Sequence, residues 1–317
     1  MKKQRVFGYL KRLFFFNVWI GAMLTLGGSL AWAAPKGSPW GADYFPNVEL
    51  VNQDGKTVRF YDDLIKDKIV AINFIYTHCG DTCPAETASL RQVQRLLGDR
   101  VGKDIFFYSI SIDPEHDTPK VLKEYSERFK VGTGWSFLTG TKANTTLLRK
   151  KLGLFREDIE AGKLNEHNTS FMIGNESTGQ WMKRSPFDEP KMLAWLLGYS
   201  LPASKAGIKT SHVSYAEAKR LPNLSRAEDL FRFRCAACHS LGNEDGLGPG
   251  LLGVTQKRDR AWLARWLKTP DKLLAEKDPV ALELYNRYNK IRMPNLKLND
   301  ADVEALINYM EAASKAH

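Results

Sequence analysis

Cysteine is scarce: four residues in 317, too few for a disulfide scaffold. The chain carries no internal repeat and no low-complexity tract. With 43% hydrophobic and 11% aromatic residues it is neither disordered nor collagen-like. There is only one long apolar run, Leu13–Leu30, which excludes a multi-span membrane protein. Acidic residues are missing from the first 33 positions, where Lys2, Lys3, Arg5, Lys11 and Arg12 supply half of the net charge of +10. The rest of the charge is dispersed, as on an ordinary soluble surface, so nucleic acid is not an expected partner.

What is present begins with a targeting pattern over residues 1–33: a basic start, the apolar run, then Ala31-Trp32-Ala33, the small-x-small sequence of a signal-peptidase site. The run is also long enough to remain as an uncleaved anchor. Either outcome exports the folded part to the periplasm, with membrane contact only through that possible anchor.

The length suggests about two domains, and the hydrophobic pattern changes character near residue 200. Over 40–200, strands and helices alternate. Asp54-Gly55 marks a hairpin turn between Val48–Val51 and Val58–Phe60. Ile69–Ile75 and Ile105–Ile112 are apolar throughout, as strands buried on both faces must be. Shorter strands are expected at Trp135–Leu138 and Ser170–Ile173. Helices are expected from Pro84, over Pro119–Phe129 and Thr141–Leu152, and around Lys191–Tyr199. This order predicts an α/β thioredoxin-like domain. Residues 201–220 are polar, with Pro202 and Gly207, and are expected to be a linker. Residues 221–315 show helical patterning alone, with N-cap signals at Ser225 and Asn299, and predict a small all-α domain.

Cys235-Ala236-Ala237-Cys238-His239 has the C-x-x-C-H spacing of c-type haem attachment. Two thiols bond the two vinyl groups of one macrocycle, and the adjacent imidazole reaches the iron. A zinc site would need further ligands, but no cysteine follows Cys238 and the only later histidine is His317. The sixth ligand is expected from Met293, which precedes Pro294 in a helix-free stretch. Met310 falls at core spacing in the last helix. One c-type haem is therefore expected, on Cys235, Cys238, His239 and Met293. The region resembles a class I cytochrome c in this motif, in Gly248-Pro249-Gly250-Leu251, in Met293-Pro294 and in the terminal helix.

Cys79-Gly80-Asp81-Thr82-Cys83-Pro84 follows a buried strand and opens a helix. Sulfurs four residues apart fall on one face of a turn, in reach of a disulfide or of one metal ion. A helix N-terminus beside Cys83 favours its thiolate. Soft thiolates select Cu(I), and an added imidazole also suits Cu(II).

The segments Phe74–Pro84 and Ser109–Pro119, with His167 ahead of the strand at Ser170, resemble the SCO/SenC family of thioredoxin-like copper proteins. The resemblance implies one copper ion on Cys79, Cys83 and His167, with His116 and His78 as the alternatives. Gly80 departs from the family, which commonly has proline there. Asp113 is open to two roles, supporting the site or capping the following turn. The resemblance further implies assistance in copper delivery to, or thiol reduction of, the dinuclear copper centre of cytochrome c oxidase. Partners would be its copper-bearing subunit or another periplasmic redox protein. Thiol-disulfide exchange at Cys79 and Cys83, with copper incidental, is the alternative; a third reading is a plain electron-transfer module in which the first domain only docks a partner.

Overall fold

The computed structural model describes residues 40–155, 157, 169–203 and 224–316. The signal expected over 1–33, His167 and the segment 204–223 lie outside the described residues. Among the described residues no helix is long and apolar enough to cross a membrane.

Among the described residues seven strands form one mixed sheet in the order β2-β1-β5-β4-β3-β6-β7. They are β1 Glu49–Asn52, β2 Thr57–Arg59, β3 Ile69–Ile75, β4 Ile105–Ser111, β5 Trp135–Thr139, β6 Phe171–Asn175 and β7 Gln180–Arg184. Strands β3, β4 and β5 are parallel, with Ile69 opposite Ile105 and Phe107 opposite Trp135. The flanking strands are antiparallel. Every residue of β3 is buried, which is why it reads as an unbroken apolar run. The first helices are α1 Cys83–Leu97, α2 Pro119–Arg128 and α3 Lys142–Lys151. The Thr118 and Thr141 hydroxyls cap α2 and α3. The expected thioredoxin-like order is present. The sequence reading missed β7, whose residues are polar or half-buried. That edge strand is held by Trp181, whose indole lies across Gly174. A Cβ there would come within 2.2 Å of the ring, so only glycine allows this pairing.

Pro190–Trp195 opens a helical stretch that runs on through Leu196–Ser200 and Leu201–Ala203. The helical region begins at Arg226–Leu230, capped by the Ser225 hydroxyl, and continues through Phe231–Cys235, so the first attachment cysteine closes the helix. Arg260–Lys268, Pro279–Arg287 and Asp300–Lys315 follow, and Asn299 accepts from the Asp302 N–H at 2.9 Å as the N-cap signal predicts. Pro270–Ala275 is a further short helix with proline in its first turn. Phe231, Leu263, Leu267, Val303, Leu306, Ile307 and Met310 form a hydrophobic cluster of their own, which gives Met310 the core role its spacing predicts.

Candidate metal and haem centres

The end of the Phe231–Cys235 helix and the loop after it bring Cys235, Cys238 and His239 to one wall of a cavity of about 380 Å³; Met293 belongs to the same lining. His239 donates Nδ1–H to the Pro249 carbonyl at 2.8 Å. That bond fixes the tautomer and leaves Nε2 as the coordinating nitrogen. Burial lowers the His239 pKa, keeping the ring neutral as an iron ligand must be. Gly248 lies flat against this ring: a Cβ there would meet His239 Cε1 at 2.5 Å. Both attachment thiols are pushed up to about 12 by burial. They are neutral thiols in an apolar cavity, suited to thioether formation. Donor set, tautomer and cavity therefore fit a haem.

The stretch before Met293 also contributes to the cavity. Leu284, Tyr288 and Ile291 line the cavity. The Tyr288 hydroxyl donates to Asp245 at 2.9 Å, and Asp245 accepts the Gly250 N–H at 2.9 Å. The stretch is thereby pinned to the loop that carries Pro249.

At the other centre, β3 delivers the chain through Tyr76, Thr77 and His78 to Cys79, and Cys83 is the first residue of α1. Cys79 and Cys83 are 3% and 0% exposed. Asp117 shapes the approach, accepting from the Thr77 hydroxyl at 2.5 Å and the Ser111 hydroxyl at 2.6 Å. The pair is electrically unequal. A hydrogen bond from Cys83 pulls the Cys79 pKa down, helped by the Tyr76 hydroxyl and the Cys83 and Asp81 backbone, against the opposing effect of burial. The same hydrogen bond, with burial and the nearby Glu86 carboxyl, pushes Cys83 up. The thiolate is thus on Cys79, not on Cys83 as the helix-terminus argument predicts. The dipole at Cys83 is outweighed by its complete burial and its role as donor.

Glu86, one turn into α1, escaped the sequence reading. It is 1% exposed, its Oε1 has no hydrogen-bond partner, and burial raises its pKa to about 8. Its only sequence signal is a carboxylate on an otherwise buried helix face.

His78 and His116 meet at Asp113, their ring centroids 5.3 Å apart. His116 Nδ1 lies 2.8 Å from Asp113 Oδ2, and His78 Nε2 lies 3.7 Å from the same oxygen. Asp113 therefore serves these two rings, while its carbonyl closes the turn onto the His116 and Asp117 N–H groups. Among the described residues no third histidine, cysteine or carboxylate completes a metal-binding group with the two sulfurs. Two soft sulfurs, one already anionic, nevertheless suit copper, and His167 lies outside the described residues.

The attachment segment also packs on the first domain. Gln92 donates to the Ala236 carbonyl at 2.9 Å, Arg232 pairs with Glu189 at 2.7 Å, and the Arg234 guanidinium stands 4.2 Å over the Phe187 ring. Leu247 is buried in the first domain's hydrophobic cluster, and Ala237, Cys238 and Ile291 pack against it.

Residues 39–193 match the family model of SCO1/SenC, and residues 224–314 match that of cytochrome c. A SCO1 homologue of Bacillus subtilis is 37% identical over 90 residues, 28% of this chain and 45% of that protein. The match thus spans less than half of this relative's length. Bradyrhizobium japonicum ScoI, solved with copper bound, is 25% identical over 47% of this chain and 94% of that one, with a TM-score of 0.40. The cytochrome c domain of the pp3183 protein from Pseudomonas putida is 53% identical over 28% of this chain and 88% of that one, with a TM-score of 0.27.

Proposed function

Because this chain belongs to the SCO1/SenC family over residues 39–193 and to the cytochrome c family over 224–314, we propose that it is an exported electron-transfer protein, holding haem and copper, that assists cytochrome c oxidase assembly. The work would be copper delivery to, or thiol reduction of, the oxidase's dinuclear copper centre, with its copper-bearing subunit as partner. Another periplasmic redox protein is the alternative partner. The basic and apolar pattern of residues 1–33 supports export to the periplasm, by a cleaved signal or a retained anchor.

The observation that carries this reading is the polarised Cys79/Cys83 pair in one fold with a haem-attachment cavity. Iron and copper each supply a one-electron couple when bound. The chain's own residues do the rest. The Tyr76 hydroxyl and the Asp81 and Cys83 N–H groups stabilise negative charge on Cys79. Cys83 releases its proton when a cation arrives, and His167 supplies the third donor. On the haem side Cys235 and Cys238 would anchor the group, Pro249 orients the His239 ring, and His239 and Met293 would be the iron ligands. Methionine ligation raises haem potential, whereas reducing dithiols sit at about −270 mV and oxidising ones near −120 mV. A bound haem would then be the acceptor for electrons from the first domain. Oxidation of the dithiol to a disulfide releases two electrons and two protons, so each disulfide formed would need a one-electron acceptor twice.

The same polarisation favours a second reading, thiol-disulfide exchange, since a thiolate beside a neutral thiol is the arrangement of a nucleophile and its resolving partner. Copper titration of the haem-loaded protein beside His167→Ala separates the two. One copper per chain, sharply weakened in the variant, is the expected result. No stoichiometric copper, with Cys79 and Cys83 still cycling between thiol and disulfide, would establish the exchange reading instead.

A further inference from the structure

The two centres are joined by a backbone bond between their most consequential loops. The Asn295 N–H donates to the Gly80 carbonyl at 3.1 Å. Gly80 directly follows Cys79, and Asn295 is two residues beyond Met293. The loop on each side of this bond is itself held. The Asn295 side chain donates to Asp271 at 2.8 Å and accepts the Lys297 N–H at 3.0 Å, and Lys297 Nζ reaches within 3.9 Å of Asp81. On the other side, the next N–H groups along the loop, those of Asp81 and Cys83, are the ones that hold the Cys79 sulfur. A change at the sulfurs that draws on those N–H groups turns the neighbouring peptide, whose carbonyl is the acceptor for Asn295. Behind this contact Ile291, two residues before Met293, packs against the hydrophobic cluster through which Leu247 joins the first domain.

We infer that Asn295 is a positioning residue that ties the Met293 loop to the dithiol loop, so that what the Cys79/Cys83 pair holds sets the potential of the haem. The inference rests on Met293 being the iron's sixth ligand, as in the proposed function. Linkage makes the coupling reciprocal: if occupation of the pair favours one haem oxidation state, that state favours occupation by the same factor. An exported chain that must take up copper in one redox state and release it in another gains a switch by this route. Electrostatics across the interface could also shift a potential, but would leave the iron–methionine bond unchanged. The loop tie alters both.

The test is made on the haem-loaded full chain in three states: dithiol, disulfide formed with diamide, and one equivalent of Cu(I) added. The haem midpoint potential and the methionine-to-iron charge-transfer band of the ferric form are measured in each. The expected result is a change of about tenfold in the ferric-to-ferrous balance between states, which is 59 mV for a one-electron couple, accompanied by a change in the band. Asn295→Pro removes the donor and is expected to abolish the state dependence; Asn295→Ala keeps the N–H and retains it. Equal potentials and equal bands in all three states of the unmodified protein would overturn the inference, as would a dependence that persists in Asn295→Pro. If that variant loses the band in every state, the unmodified protein alone decides. Absence of copper binding would defeat the copper reading while the dithiol and disulfide arms still test the tie. Stoichiometric copper with an unmoved haem would defeat the tie alone.

Discussion

Cys79/Cys83 and Cys235/Cys238 are both close pairs at a helix terminus, the first buried and the second partly exposed, yet the protein gives them opposite chemistry. The first pair sits at a helix start, where Tyr76 and two backbone N–H groups point donors at one sulfur, and one thiol serves the other as donor. The second sits at a helix end, in an apolar cavity without such donors, and both thiols are pushed up to about 12. Burial by itself makes cysteine inert. Burial with a converging set of donors makes one member of a pair a thiolate. The spacing of a motif tells which sulfurs can act together; the donors around it decide what they do.

The largest effect is expected at the second pair. Replacing both Cys235 and Cys238 with alanine is expected to abolish covalent haem altogether, read as loss of haem absorption from the denatured protein, while Cys79→Ser/Cys83→Ser keeps it in full. Next in size is Gly248→Ala. Its new methyl group meets the His239 ring, and forcing such an overlap typically costs about 1–3 kcal/mol. Thermal unfolding of the haem domain should shift downward with poorer haem retention.

Glu86 sharpens the contrast from the first side. It keeps its proton until about pH 8 in the fold but ionises near 4.3 in an unfolded chain. The folded state therefore binds the extra proton, and stability is lost as pH rises between these values. Glu86→Gln should match the parent protein near pH 4 and exceed it by about 1–3 kcal/mol at pH 9, measured by denaturant melts. A gain that grows toward acid pH instead would contradict the sign. The smallest effect is expected from Tyr76→Phe. Losing one hydrogen bond to a charged group is worth about 1.5 kcal/mol, so the Cys79 midpoint, seen in thiolate absorbance, should rise from about 6 by about one pH unit. The Cys235 and Cys238 thiols should not respond.

Much of this was legible in the sequence because it is local. The buried strands Ile69–Ile75 and Ile105–Ser111, the Ser225 and Asn299 caps and both cysteine motifs depend on neighbours a few residues away. What stayed hidden depends on partners far along the chain. The edge strand Gln180–Arg184 needs Gly174 beneath Trp181. The position of the thiolate needs the Tyr76 hydroxyl and the direction of the Cys83 S–H. The role of Asp113 was left open because only the fold brings His78 and His116 to one carboxylate. The Asn295–Gly80 bond joins two domains across an interface that no periodicity announces.

The central claim, that one pair anchors haem and the other takes up copper, is tested most directly by mapping all four cysteines by peptide mass spectrometry. The full-length, haem-loaded protein would be alkylated near neutral pH with and without one equivalent of Cu(I). Haem on Cys235 and Cys238, alkylation at Cys79 and Cys83 with Cys79 the faster, and protection of both by copper are expected. Alkylation of Cys79 and Cys83 at an unchanged rate with copper present, or free thiols at Cys235 and Cys238, would contradict the claim.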